Sequence, residues 1–314
     1  MGRMIDGAWQ ADDGPGGDVA TDGGWRRTPS VVRHQVAAGG PFPPEAGRYH
    51  LYVAWNCPWA HRVLLARAIL GLGQALPASV AAPLRTDRGW VFDASGPYRD
   101  RRFGATALHE VYARGDPAYT GRATVPLLYD TAADRLVSTE SADILRMLCT
   151  AFLPLAEHPQ DLVPAAALDE IDALNARIHA GLNNAVYRAG FAETQAAYDE
   201  AVDTVFDTLD MLEARLADRR WLMGAALTEP DLRLFPTLAR FDVAYHLAFR
   251  CSRRRLVDYP KLWRYARRFH ALPDVAGTVH FDIYRKGYFS ASAKRNPLGI
   301  VPVAPEISWD LAAP

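Results

Sequence analysis

The chain is short of cysteine, of net charge and of long hydrophobic runs. Its 314 residues include three cysteines, Cys57, Cys149 and Cys251. An odd number at such wide spacings fits neither a disulfide framework nor a zinc pattern, so no metal is expected and a reducing cytoplasm is the expected compartment. The formal net charge is −1, which supplies no global field to draw the chain to nucleic acid or to an anionic membrane. No stretch approaches the apolar length that crosses a bilayer, and Met1-Gly2-Arg3-Met4-Ile5-Asp6 carries no signal-peptide core. Neither nucleic acid nor a membrane is therefore an expected partner. What remains is a globular chain long enough for two domains with cores of their own.

One further absence is local. In Cys57-Pro58-Trp59-Ala60 the position that would hold the second cysteine of a C-x-x-C redox pair is Ala60. The tetrapeptide follows the strand-like run His50 to Trp55 and precedes the apolar segment Val63 to Leu70. That places a thiol where a strand ends and a helix begins, with proline near the helix start. Unpaired backbone N–H groups and the helix dipole favour negative charge there, so a cysteine in this place tends to be a thiolate. Arg62 nearby would add to the effect. The other reading is a buried structural cysteine, the usual fate of an isolated one; Cys149, in an apolar helix, and Cys251, in an arginine-rich segment without a base, keep it. If Cys57 reacts, its second thiol must come from another molecule.

Along the chain, residues 1–46 are rich in Gly, Asp and Pro, as in Asp12-Asp13-Gly14-Pro15-Gly16-Gly17, and read as an irregular arm with little core. From His50 the pattern runs strand, thiol turn, helix. Val125-Pro126-Leu127-Leu128-Tyr129 is a second strand signal, and Arg135-Leu136-Val137-Ser138 reads as its hairpin partner. Ser141 to Leu148 then carries Ile144, Leu145 and Leu148 on one helical face. Strands alternating with helices indicate a small α/β domain ending near residue 150. Beyond it helical signals dominate. Tyr198, Val202, Val205, Leu209, Leu212 and Leu216 recur at spacings of four and three. Thr228-Glu229-Pro230-Asp231 has the form of a capping box, Pro260 to Leu272 reads as a further helix, and the stretch from about Gly287 to Pro314 reads as an extended strap. The domains are set at 47–155 (α/β) and 165–314 (all-α, with the tail).

Two more places invite a ligand. Proline at the start of a strand conflicts with a central position. Either Val125-Pro126 is cis, which would expose the backbone of Val125 to a peptide-like ligand, or it is a trans proline on an edge strand. Glu140-Ser141 opens a helix: Ser141 can act as an N-cap, or its hydroxyl and N–H can bind an anion while Glu140 pairs with an ammonium group.

Together these features resemble the glutathione transferase superfamily, and more narrowly its Xi class, the glutathionyl-hydroquinone reductases. The resemblance covers nearly the whole chain. It rests on Arg48-Tyr49-His50-Leu51-Tyr52-Val53, Cys57 to Arg62, Tyr119 to Pro126, Asn183 to Phe191, Arg233-Leu234-Phe235, Arg240-Phe241-Asp242 and Asn296 to Pro302. It implies a thioredoxin-like N-terminal domain followed by an all-helical C-terminal domain, usually in a homodimer. It implies glutathione as co-substrate and a glutathionyl-hydroquinone as the aromatic substrate. Carried over by position, Cys57 matches the family's nucleophile and Tyr187 its proton-transfer tyrosine, with Tyr245 and Tyr288 two further tyrosines of the aromatic site. Trp90, Arg122, Ala123, Thr124, Val125, Glu140 and Ser141 match its glutathione contacts.

There are departures. Where the family usually has paired tyrosines near the C-terminus, flanked by histidines, this chain has Gly287-Tyr288-Phe289-Ser290-Ala291-Ser292. Leu232 stands where a tryptophan is usual. Both changes bear on the aromatic pocket rather than on the thiol. Three other readings compete: a conjugating transferase, which would need Ser or Tyr in place of Cys57; a general glutathione-dependent thiol or dehydroascorbate reductase; and a non-catalytic binding protein of the same fold.

Overall fold

The computed structural model describes residues 2–11, 18–292 and 295–312; the stretch Asp12 to Gly17, expected to be irregular, lies outside the described residues. The strands are β1 (Arg3–Ile5), β2 (Ala8–Gln10), β3 (Asp18–Val19), β4 (Trp25–Arg26), β5 (Tyr49–Val53), β6 (Ala78–Val80), β7 (Leu127–Asp130) and β8 (Arg135–Ser138). Helices α1 (Pro58–Ile69), α2 (Leu108–Gly115) and α3 (Ser141–Cys149) interleave with the later strands. After them come α4 (Leu168–Ile178), α5 (Ala185–Phe191), α6 (Gln195–Arg215), α7 (Glu229–Arg240), α8 (His246–Ala248), α9 (Pro260–His270) and α10 (Phe281–Tyr288). Two compact units result, Met1–Gly16 with Thr28–Gln160, and Gly17–Arg27 with Asp161–Pro314.

The first unit is built on a sheet of order β6-β5-β7-β8. β5 and β6 run parallel, and β7 is antiparallel to both β5 and β8. Every residue of β5 is buried, as expected of a central strand covered on both faces. β7 begins at Leu127 rather than at Val125, because Pro126 has no N–H to give to the ladder. Its hairpin partner β8 spans the residues that the sequence signals. α1 buries Val63, Leu64, Leu65 and Ile69 and packs against α3. This is the strand–helix–strand core of a thioredoxin-like domain.

Among the described residues, the first 46 include two hairpins where an irregular arm is expected. Asp6 and Gly7, both at positive φ, close the hairpin β1–β2, and Asp-Gly is the pair that such a two-residue turn favours. Residues 32–34 lie along the outer edge of β8, with His34 N–H donating to Val137 O at 2.8 Å and Thr139 N–H to Val32 O at 3.0 Å. An edge strand that would otherwise present free N–H and C=O groups is thereby covered. The hairpin β3–β4 belongs to the second unit, where Trp25 is buried.

Among its described residues the second unit has no named strand besides that hairpin and is otherwise built from helices and their connections. α6 carries the predicted face inward, with Val202, Val205, Leu209 and Leu212 all buried. At the start of α7 the Asp231 carboxylate accepts from Thr228 N–H at 2.9 Å, completing the capping box, and also from Leu222 N–H and the Tyr265 hydroxyl, both at 3.0 Å. Gly287 and Tyr288 end α10 instead of opening the tail; a turn around Ser292 and Asn296 follows, and residues 299–310 form no helix or strand. The tail is tied by Arg285 Nη1 to Pro302 O at 2.7 Å, and Trp309 packs its ring against Trp263 and Phe281 at 4.9 and 5.0 Å. Among the described residues no helix is long and apolar enough to cross a membrane.

Candidate functional site

In the first unit the candidate site gathers where β5 gives way to α1. Cys57 occupies the N-cap position of α1 in extended conformation, with Pro58 as the first helical residue. Proline suits that place because its missing N–H would have found no partner in the helix. The thiol is half-buried, and Sγ lies 3.5 Å from the carbonyl oxygen of Val125. The Val125-Pro126 peptide is cis, which decides between the two readings of that proline. Arg62 is buried, with its guanidinium 4.5 Å from the Trp59 ring and Nη1 3.5 Å from Ser141 Oγ. It links the first turn of α1 to the start of α3.

The other predicted glutathione contacts hang from ordered loops of the same unit. Thr124 is gripped by the buried Tyr112, whose hydroxyl donates to Thr124 O at 2.8 Å and accepts from its N–H at 3.1 Å. Arg122 O accepts from the Tyr119 hydroxyl at 3.1 Å, and Ala123 lies between these two anchored residues. Trp90 follows the tight turn Thr86–Gly89, and its carbonyl accepts from Leu108 N–H at 2.8 Å. Arg85 sits 5.4 Å from its ring. The cap of α3 is Glu140 rather than Ser141: Glu140 Oε1 accepts from Ala142 N–H at 3.1 Å and Oε2 from the Ser30 hydroxyl at 3.2 Å. Ser141 is the first helical residue and is buried.

The predicted tyrosines meet in the second unit. Tyr187 comes from α5, Tyr245 from the π-helical turn Phe241–Tyr245 after α7, and Tyr288 from the end of α10. The Tyr288 hydroxyl lies 2.6 Å from that of Tyr187 and 3.1 Å from that of Tyr245. Burial pushes the phenols of Tyr245 and Tyr288 well above the usual tyrosine range, and the nearby Arg240 charge offsets only part of that. These two therefore keep their O–H protons at neutral pH and can donate hydrogen bonds. Phe249 stacks on Tyr245 at 5.3 Å and meets the Tyr187 ring edge-on at 5.1 Å. Gly190 makes room for it, since a Cβ there would stand 2.3 Å from Phe249 Cδ1. The two departures from the family pattern, Phe289 and Leu232, are both buried.

Cys149 and Cys251 are buried, and burial pushes the Cys251 thiol up to about 12. Sequence reasoning passed over Trp25 and Arg27. Trp25 stacks on Phe191 at 5.4 Å; Arg27 lies 5.1 Å from the Tyr187 ring and donates from Nε to Asn184 Oδ1, at the start of α5, at 3.1 Å. No periodicity flags them, because β4 is two residues long. The Gly23-Gly24 pair beside Trp25 was the available turn signal.

Comparison with known proteins agrees with this architecture. The N-terminal domain of glutathione S-transferases matches residues 56–151, and the C-terminal domain matches 195–268. The chain is 44% identical to the glutathionyl-hydroquinone reductase PcpF of Sphingobium chlorophenolicum over 97% of its own length and 96% of that protein's. The Xi-class glutathione transferase of Natrialba magadii superposes with a TM-score of 0.90 at 38% identity, covering all of this chain and 95% of that one. The glutathione-bound structure of YqjG from Escherichia coli superposes with a TM-score of 0.85 at 42% identity, over 89% and 94% of the two chains. The chain belongs to the glutathione transferase superfamily, within its Xi class of glutathionyl-hydroquinone reductases.

Proposed function

We propose that the protein reduces glutathionyl-hydroquinones to hydroquinones, with glutathione as reductant and a Cys57–glutathione mixed disulfide as the intermediate. The observation that carries the reading is the thiol itself. Cys57 stands at the N-cap of α1 with Ala60 where an internal second thiol would be. Glutathione is bound in the homologous YqjG structure. In this reading residues 47–155 bind the glutathionyl group through Trp90, Arg122, Ala123, Thr124, Val125, Glu140 and Ser141. Residues 165–314 supply Tyr187, Tyr245 and Tyr288. The protein works as a homodimer in the cytoplasm, without nucleic acid or membrane.

The chemistry explains why both a thiol and phenols are needed. A thiolate cannot displace carbon from sulfur in an aryl thioether directly, because the leaving group would be an aryl carbanion. Protonating the ring carbon that bears sulfur converts the hydroquinone to a keto tautomer, and the departing electron pair then becomes an enolate. Tyr187, hydrogen-bonded to Tyr288, transfers that proton. The Cys57 thiolate attacks the glutathione sulfur, the sulfur–carbon bond breaks, and the enolate takes up a proton to give the hydroquinone. A second glutathione thiolate attacks the mixed disulfide, releasing oxidised glutathione and restoring Cys57. The net change is one thioether and one glutathione converted to hydroquinone and oxidised glutathione.

The test is Cys57→Ser. Turnover of a glutathionyl-hydroquinone should be lost, with the thermal melt unchanged, and mass spectrometry should find a glutathione adduct on the parent protein but not on the variant. Turnover retained without Cys57 would sink the reading.

A further inference from the structure

The hairpin β1–β2 touches two of the loops from which assigned glutathione contacts emerge, the one that leads into Trp90 and the one that leads into Arg122–Val125. On one side it continues the 119–122 loop as a short ladder. Met4 N–H donates to Gly121 O at 2.7 Å, and Gly121 N–H donates back to Met4 O at 3.0 Å. Gly7 N–H donates to Tyr119 O at 3.0 Å, and Asp6 N–H to Thr120 Oγ1 at 2.9 Å. Arg122 follows at once. A side chain at position 7 is excluded, since a Cβ there would meet Pro117 O at 1.9 Å.

On the other side Trp9 lies over the 86–89 turn. Its indole Nε1 donates to Asp87 O at 3.0 Å, and its ring stacks on His109 with centroids 4.7 Å apart and planes 12° from parallel. His109 Nδ1 is in turn 3.0 Å from Arg88 O. The turn is pressed against the indole: a Cβ on Gly89 would stand 3.0 Å from the Trp9 ring. Trp90 is the next residue. One β-bridge with two flanking hydrogen bonds and one ring therefore fix the points from which Trp90 and the Arg122–Val125 run leave the fold.

We propose that this hairpin is a clamp for the glutathione pocket and that Trp9 is a positioning residue, setting glutathione affinity without touching the thiol chemistry. The inference rests on the assignment of these two loops to glutathione. Trp9 itself acts through the 86–89 turn and needs no contact with the ligand. A hairpin that served only to stabilise the fold would change melting temperature and leave affinity in the folded protein alone.

Binding of S-methylglutathione, which cannot form a disulfide, should be measured by calorimetry for the parent, Trp9→Ala and Trp9→Phe, beside steady-state turnover and thermal melts. Loss of the ring pair and the indole hydrogen bond in Trp9→Ala should weaken binding, and raise KM for glutathione, by about tenfold with kcat within about twofold. Trp9→Phe keeps a ring on His109 and should show about a threefold effect. Parental affinity in a folded Trp9→Ala, or a fall in kcat with KM unmoved, overturns the clamp. Should Trp9→Ala not fold, parental affinity in Trp9→Phe overturns it instead. A parent protein that binds S-methylglutathione yet turns over no glutathionyl-hydroquinone overturns the reductase reading, while the binding series still decides the clamp.

Discussion

The two units bring different materials to the proposed chemistry. In the first, the loops of the proposed glutathione site are held largely through backbone: a helix start, the carbonyl of Val125 beside Cys57, and N–H and C=O groups tied by Tyr112, Tyr119 and Met4. In the second, the groups are side-chain hydroxyls, drawn from positions 101 and 43 residues apart along the chain and set in aromatic rings. A backbone site is held by its neighbours and tolerates many side-chain changes nearby. A hydroxyl cluster depends on each member, and removing one oxygen alters it.

The sharpest way to break this contrast is Tyr288→Phe. It deletes the hydroxyl that bonds to both Tyr187 and Tyr245 while leaving the ring in place. Turnover should fall about 10²-fold, at the lower end of what a proton-transfer group contributes. Adduct formation at Cys57 with oxidised glutathione should keep its parental rate, because that step uses only the first unit. A fall in both rates would show that the division of labour is wrong.

One buried group in each unit should also respond to acid in opposite directions. His50, buried beside Ser79 at 2.8 Å, has its pKa lowered from 6.5 to about 4, chiefly by burial. The folded first unit disfavours its charged form, so that stability is present above pH 6.5 and lost as pH falls towards 4, by about 3 kcal/mol in all. Asp231, buried in the second unit, has its pKa raised from 3.8 to about 6, again chiefly by burial. Its contribution is present below pH 3.8 and is lost as pH rises through about 6, by about 3 kcal/mol. Hydrogen exchange corrected for its intrinsic pH dependence can read the two units separately. Between pH 6.5 and 4.5, protection of β5 should fall, and His50→Gln should flatten the change. Protection of α7 should rise, and Asp231→Asn should flatten that. Equal slopes in both units would refute the assignment.

A smaller effect tests the backbone side alone. Tyr112→Phe removes the hydroxyl that satisfies both N–H and C=O of Thr124 in a buried setting. It should cost about 1–3 kcal/mol of stability and raise KM for glutathione without slowing a proton-transfer step. A drop in kcat at saturating glutathione would contradict the separation.

The same contrast explains what the sequence reveals. Cys57, Val125-Pro126 and Glu140-Ser141 are legible from residues alone because each sits at a strand end or a helix start, where local rules apply. The tyrosines are not: an isolated tyrosine is more often core than catalyst, and only the resemblance to a family singled out Tyr187, Tyr245 and Tyr288. The hairpins of the first 46 residues escaped because strands of two or three residues are too short for a period of two to register. Even so, Asp6-Gly7 carried the turn signal, and reading it would have placed Trp9 and Met4 in the fold.

The least of the expected effects concerns Glu140, and it decides between the two meanings the sequence left open there. The carboxylate already caps α3 through Ala142 N–H and takes the Ser30 hydroxyl. If capping is its whole role, Glu140→Gln keeps a carbonyl oxygen at the same reach and loses only the charge at a helix start, about 0.3–1 kcal/mol. The melt would then shift slightly and the affinity for glutathione would stay. If Glu140 also pairs with the ammonium of a γ-glutamyl group, the lost charge should weaken glutathione binding several-fold more than it weakens the fold. Desamino-glutathione, which lacks that ammonium, should bind the parent and the variant alike. Equal sensitivity of glutathione and its desamino analogue to the substitution would return Glu140 to capping alone. The site of the first unit would then bind this end of its ligand through the N–H groups at the start of α3, with no help from the Glu140 carboxylate that caps them.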